Sequence, residues 1–325
     1  MIRILLALCA APAAVFLTAC SPGSSGSGPA STPQTTVSAA ASPAADAVCQ
    51  PALAHAAGSF NETLPSGGLS RTYILHVPAG YDGAKRVPLV LAYHGWTMFA
   101  DQFAAYDGFD GAADKAGFAV VTPNGTGDPQ AWNTGDAAGG ADDVQFTKDL
   151  LAKVEGELCV DEDRVYAAGY SLGGGMALRA ACDLPDRIAA AGVVEAVYPT
   201  CMAAVPLVAF HGTSDPIVPF DGGQTGTTGA LIFPVVRRSV SEWARALGCD
   251  GLPLISHPNS EIELSTFQRC SYGTGDVLLY TVIGGGHTWP GAAIPLPENI
   301  VGKTTRQISA TDVIWEFFAA HPRGH

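Results

Sequence analysis

The strongest constraint on this chain is the way short apolar runs alternate with helical patterns. Runs at 73–77, 87–94, 118–122, 164–169, 192–195, 205–211 and 277–283 are bounded by turn residues and read as strands. Helical periodicity at 102–116, 142–158, 172–182, 236–247 and 310–320 falls between several of them. Central runs such as Leu89-Val90-Leu91-Ala92-Tyr93 are apolar at successive positions, so both faces of the strand must be covered. This repeated alternation predicts an α/β fold with a mainly parallel central sheet and helices on both faces.

Composition narrows the function. The chain carries a formal net charge of −13 and only 14% charged residues. An acidic chain cannot neutralise phosphates, which excludes a nucleic-acid binder of the usual kind and a sheath on anionic lipid. The 47% of hydrophobic residues is ample for a large core.

The N-terminus reads as an address. Residues 1–19 hold a basic start at Arg3 and an apolar run too short for a membrane span, as in a signal peptide. Leu17-Thr18-Ala19-Cys20 resembles the lipobox of bacterial lipoproteins, which implies acylation of Cys20 and an outward-facing cell-membrane lipoprotein, or a secreted protein without that lipid. Residues 20–48 are rich in Ser, Gly, Pro and Ala and predict a flexible tether with a reach of about 30 Å. Residues 49–325 then form one domain.

Beyond Cys9 and Cys20, six of the eight cysteines remain. An even number in an exported domain predicts disulfides, although six cysteines allow about 15 connectivities. The pairing expected is Cys49–Cys159, which pins the start of the domain, with Cys182–Cys201 and Cys249–Cys270 closing local loops. No spacing suits zinc.

Gly169-Tyr170-Ser171-Leu172-Gly173 lies between an expected strand and an expected helix. A sharp strand-to-helix turn presents a serine hydroxyl at the carboxyl edge of the sheet. Such a serine needs a base, and the base an orienting acid, in the chain order Ser, Asp/Glu, His. His287 follows a strand and three glycines and is preferred to His257 as base. Asp215, just past the run at 205–211, is the expected acid, with Asp221 its near rival. The oxyanion donors expected are the amides of Leu172 and Trp96, the latter in the turn after the strand at 87–94.

Five blocks together resemble a known group. They are His94-Gly95-Trp96, Trp132-Asn133 with Asp142-Asp143-Val144-Gln145-Phe146, the stretch from Cys159 to Met176, His211-Gly212-Thr213-Ser214-Asp215, and Gly284-Gly285-Gly286-His287-Thr288-Trp289-Pro290-Gly291. In this order they resemble the α/β-hydrolase esterases that include feruloyl esterases, acetylxylan esterases and secreted polyhydroxybutyrate depolymerases. The resemblance implies Ser171, Asp215 and His287 as a triad, no metal or organic cofactor, and a small, oligosaccharide-linked or polyester ester as substrate. Trp132, Asn133, Tyr170 and Trp289 are expected near the pocket, while Asp142 and Asp143 are expected to cap a helix. The membrane would be engaged only through the lipid anchor, and the oligomeric state is not legible. Acyl transfer to an envelope acceptor and a silent binding protein are the rival readings.

Overall fold

The computed structural model describes residues 48–135, 140–198, 205–225, 231–270 and 276–324. The expected signal peptide, Cys20 and most of the tether lie outside the described residues. The domain opens with a hairpin, β1 (Gly58–Ser66) and β2 (Leu69–Val77), followed by β3 (Val87–Tyr93). Next come α1 (Ala100–Asp107), α2 (Phe109–Ala116), β4 (Ala119–Pro123), α3 (Asp143–Glu155), β5 (Val160–Tyr170), α4 (Leu172–Asp183), β6 (Ala190–Val194) and β7 (Leu207–Gly212). The rest comprises α5 (Val236–Ala246), β8 (Leu254–Asn259), β9 (Ile262–Phe267), β10 (Val277–Val282), α6 (Glu298–Val301) and α7 (Ala310–Ala320).

The strands form one sheet in the order β1-β2-β4-β3-β5-β6-β7-β10-β9-β8. The central run from β4 to β10 is parallel, and the hairpins at either end are antiparallel. Side chains alternate between two apolar layers, as the pleat requires. Leu89, Leu91, Val165 and Ala167 pack with Leu150, Met176 and Trp243 of α3, α4 and α5. Val90, Ala92, Tyr166 and Ala168 pack on the other face with Phe103, Phe109 and Phe318 of α1, α2 and α7. Each fully buried Leu or Phe contributes about 1.5–3 kcal/mol.

The single helix expected at 102–116 is two helices. Gly108 has a φ of 74°, a left-handed stop that few other residues adopt cheaply, and it ends α1 and starts α2. Asp142 caps α3 by accepting from the Gln145 amide at 2.8 Å. Asp143 departs from the capping role. It is buried, paired with Arg71 at 2.7 Å, and accepts from the Asn133 amide at 2.7 Å. Removing one partner of such a buried pair costs about 3–5 kcal/mol.

Cys49 is bonded to Cys159 and Cys249 to Cys270. Cys182 is also disulfide-bonded. Its expected partner, Cys201, lies outside the described residues.

Candidate active site

Four strand ends meet at the carboxyl edge of the sheet: those of β3, β5, β7 and β10. Ser171 sits between β5 and α4 with φ 56° and ψ −122°, a strained conformation for a residue with a side chain. The neighbouring glycines permit this turn. A Cβ on Gly169 would stand 2.2 Å from the Gly173 carbonyl oxygen, and one on Gly173 would stand 2.1 Å from the Tyr93 carbonyl oxygen. Backbone bonds hold the turn: the Ser171 amide donates to the Val194 carbonyl at 2.9 Å, and the Gly175 amide to the Ser171 carbonyl at 3.1 Å.

Asp215 follows β7 and His287 follows β10. The His287 Nδ1–H donates to Asp215 Oδ2 at 2.6 Å, which leaves Nε2 outside this bond. The other carboxylate oxygen, Oδ1, accepts from the Ile217 and Val218 amides at 2.7 and 2.9 Å. Burial pushes the Asp215 carboxyl up, but the hydrogen bond and charge of His287 outweigh it and hold the group below the usual carboxylate range. Tyr170, next to Ser171, donates its hydroxyl to the His287 carbonyl at 2.6 Å. Its ring centroid lies 5.1 Å from the imidazole. Ser171, Asp215 and His287 are thus gathered at one sheet edge. His257 instead lies in β8, its side chain 60% exposed, 3.6 Å from Glu263.

The turn after β3 packs against this edge, and a Cβ on Gly95 would meet the Tyr170 ring at 2.9 Å. Two buried bonds brace it. The Trp132 indole N–H donates to the His94 carbonyl at 2.8 Å, and the Gly125 amide donates to His94 Nε2 at 2.9 Å. The second bond needs a lone pair on Nε2, so Nδ1 carries the hydrogen and donates to the Gly95 carbonyl at 2.8 Å. Burial pulls His94 down to about 4, so it stays neutral. Leu172 begins α4, where amides lack intrahelical acceptors.

Three of the four expected pocket residues are in fact core. Trp289 is 0% exposed, packs on Phe103 and Phe109, and donates its indole N–H to Thr311 at 2.9 Å. Trp132 and Tyr170 are buried and spent on the bonds above. Asn133 lines a polar cavity of about 280 Å³ with Asp142, Asp143 and Arg179. The apolar cleft lies elsewhere. A cavity of about 380 Å³ is lined by Thr97, Met98, Gln102, Tyr106, Ile294 and Leu296. Trp96 is 58% exposed, and Phe99 is exposed too. Tyr106 links this cleft to the site: its ring lies 5.5 Å from that of Tyr170, and its hydroxyl accepts from the Trp289 amide at 2.7 Å.

Sequence reasoning missed Glu195 and His211. Glu195 directly follows β6, has a φ of 51° and is buried. His211 Nε2 donates to the Val218 carbonyl at 2.9 Å and lies 3.2 Å from Glu195 Oε2. Burial pulls His211 down to about 4. The available signal was a lone acid closing the apolar run Ala190-Ala191-Gly192-Val193-Val194. Among the described residues, Glu195, Asp215 and His287 form the one group with metal-ligand atoms within 4.8 Å of one another. A metal would need the His287 Nδ1 lone pair, whereas the 2.6 Å contact to Asp215 places a proton there.

Comparison with known proteins supplies the family. Residues 71–224 match the family described as esterase PHB depolymerase. Feruloyl esterase B of Piromyces equi is 35% identical over 230 residues, covering 67% of this chain and 42% of that protein, so this chain spans less than half of that relative. A putative esterase of Nocardia uniformis, NocK, is 32% identical over 276 residues, covering 77% of this chain and 79% of its own. An acetyl xylan esterase structure from Aspergillus awamori superposes with a TM-score of 0.58 at 15% identity, covering 81% of this chain and 99% of that one, a likeness of fold. The chain belongs to the PHB depolymerase-type esterase family, and it is a carboxylic ester hydrolase of α/β-hydrolase fold.

Proposed function

We propose that the protein is an exported serine esterase acting through Ser171, Asp215 and His287 on esters with an apolar or phenolic portion, such as feruloyl esters. The observation that carries this reading is the 2.6 Å bond from His287 Nδ1 to Asp215 Oδ2 beside the strained Ser171 turn. His287 Nε2 takes the Ser171 proton as Oγ attacks the ester carbonyl. Asp215 fixes the imidazole tautomer and stabilises the imidazolium. The Leu172 and Trp96 amides donate to the oxyanion. His287 then protonates the leaving alkoxide as the C–O bond breaks, which leaves an acyl-Ser171 ester. Water, deprotonated by His287, attacks that ester and regenerates the serine.

Substrate reading rests on the cleft. Met98, Tyr106, Ile294 and Leu296 give it an apolar wall, and its size of about 380 Å³ suits an aromatic acyl group. The feruloyl esterase named among the relatives supports the same class. The disulfides fit an oxidising compartment. In this reading Cys20 bears the lipid, residues 20–48 are the tether, and residues 49–325 the catalytic domain.

The test is hydrolysis of methyl ferulate and short-acyl nitrophenyl esters by residues 49–325 made in an oxidising compartment, beside Ser171→Ala. Turnover abolished in the variant supports the reading. Equal activity in both proteins overturns it. The lipid is tested separately by the mass of the mature N-terminus of the full chain, with and without Cys20→Ser.

A further inference from the structure

Glu195 presents a problem of charge. It is 1% exposed, and its two carboxyl oxygens lie 2.9 and 3.1 Å from the Gly212 amide. One of its carboxyl oxygens lies within 4.8 Å of an Asp215 carboxyl oxygen and of a His287 ring nitrogen, and His211 Nε2 stands 3.2 Å from Glu195 Oε2 and 3.5 Å from Asp215 Oδ2. Two buried carboxylates this close repel each other unless one of them carries a proton. Asp215 receives N–H donors from Ile217, Val218 and His287, which favour its ionised form. Among the described residues Glu195 accepts from the Gly212 amide, lies 3.2 Å from His211 Nε2, and forms no ion pair with Lys or Arg. His211 cannot supply a charge, because burial holds it neutral.

We infer that Glu195 is a neutral carboxylic acid that donates its proton in a hydrogen bond to Asp215, and so acts as a positioning residue for the acid of the triad. The strand geometry serves this purpose. Glu195 directly follows β6 in a left-handed conformation, with its amide donating to the Phe210 carbonyl at 2.9 Å. β6 lies between β5, which Ser171 follows, and β7, which precedes Asp215. Among the described residues, the other ionisable groups near Glu195 are Tyr106, Tyr170 and Tyr198, all neutral phenols that burial pushes up. Burial and the Asp215 charge push Glu195 the same way, well above the usual carboxylate range.

The proton stays on Glu195 throughout the reaction. Its role is to give the Asp215 carboxylate one more donor beside those of Ile217, Val218 and His287. With that donor lost, Asp215 becomes more basic and holds the imidazolium more tightly. The inference rests on the triad reading for its kinetic consequence, but the protonation state can be read without activity.

The experiment compares wild type, Glu195→Gln and Glu195→Ala. A glutamine keeps both an acceptor for the Gly212 amide and an N–H donor for Asp215, so it mimics the neutral acid. Expected kinetics are a fall in kcat of about 10–100-fold in Glu195→Ala with KM within a few-fold, and recovery of most of that loss in Glu195→Gln. The acid limb of kcat/KM should move to higher pH in Glu195→Ala and return in Glu195→Gln. Denaturant unfolding supplies the second readout. A folded-state pKa raised above the unfolded value gives stability that is full below about pH 4.3 and is lost as pH rises toward the folded value. Glu195→Gln lacks that loss, so its unfolding constant should fall relative to wild type by up to about tenfold per pH unit above that point.

A Glu195→Gln protein as impaired as Glu195→Ala, or a stability difference that is flat with pH, overturns the inference. If Glu195→Ala does not fold, the glutamine comparison alone decides. An active Ser171→Ala would refute the triad, while the unfolding comparison would still decide whether Glu195 keeps its proton.

Discussion

Among the described residues, two places bring a serine, a histidine and an aspartate together. At the carboxyl edge of the sheet are Ser171, His287 and Asp215. On the terminal hairpin, Ser59 Oγ lies 2.8 Å from His76 Nδ1, and His76 Nε2 lies 3.2 Å from Asp114. Asp110 is also 3.5 Å from His76 and 3.3 Å from Ser59. By hydrogen bonds alone the hairpin trio is the more complete. Its backbone shows why it is only a surface cluster. Ser59 and His76 are directly opposed in a regular antiparallel ladder, so Ser59 is an exposed strand residue. No helix begins after Ser59 to aim amides at a developing oxyanion. The Asp114 side chain is 46% exposed, so water screens its interaction with the imidazole. At the other site Asp215 is sealed from water, and the serine occupies a strained turn at a helix start. Burial, strain and free amides separate the two sites, more than the identity of the side chains.

The largest expected effect separates them directly. Ser171→Ala should lower kcat by about 10⁴–10⁶-fold, and Ser59→Ala should leave it within twofold. A rate assay on one nitrophenyl ester decides it, and the contrast collapses if Ser59→Ala is the damaging change. Next in size is the acid. Asp215→Asn should cost about 10⁴-fold, because an amide can favour the wrong imidazole tautomer, while Asp114→Asn should have little kinetic effect.

The legible and illegible parts of this chain divide along the same line of local against long-range information. β3, β6 and the second half of β5 are apolar at successive positions because helices cover both faces, and such runs show in sequence. α7 was expected at 310–320 and spans Ala310–Ala320. Ser171, Asp215 and His287 could be named because each follows a strand with its own local signature. β1 and β8 were missed because they are edge strands, with partly or largely exposed side chains and no apolar run. The break at Gly108 hid inside a helical pattern, since an isolated glycine is also tolerated within a helix, as Gly111 is in α2. Pocket residues were the hardest to read. Trp289 and Trp96 look alike in sequence, yet one is 0% and the other 58% exposed, and only the packing of α1 and α2 decides which. Glu195 looked like a strand end because its partners come from β7 and from the loops after β7 and β10.

A third prediction sharpens the boundary between site and surface. Ile294 is 63% exposed at the mouth of the cleft. Ile294→Arg should raise KM for methyl ferulate about tenfold, equivalent to about 1.4 kcal/mol, and change KM for an acetyl ester far less. Equal effects on both substrates would place the acyl group outside this cleft.

The smallest effect concerns the hairpin trio itself. The Ala79 amide and His76 hold the Asp114 carboxyl below the usual range. A lowered folded-state value gives stability that is present above the unfolded value and lost as pH falls through the folded one. Asp110 runs the other way, because burial pushes it up despite His76, so it favours the folded state only at low pH. The two slopes oppose each other, and both groups are partly exposed, which keeps the sum small. Asp114→Asn removes one slope and leaves the other. Relative to wild type, the variant should be slightly less stable at pH 6 and equal to it near pH 2, by denaturant unfolding. The deficit at pH 6 should also shrink in high salt, as it does for exposed pairs. A deficit that persists at pH 2 would mean Asp114 acts through packing, and the hairpin trio would then be a buried network like the one around Asp215.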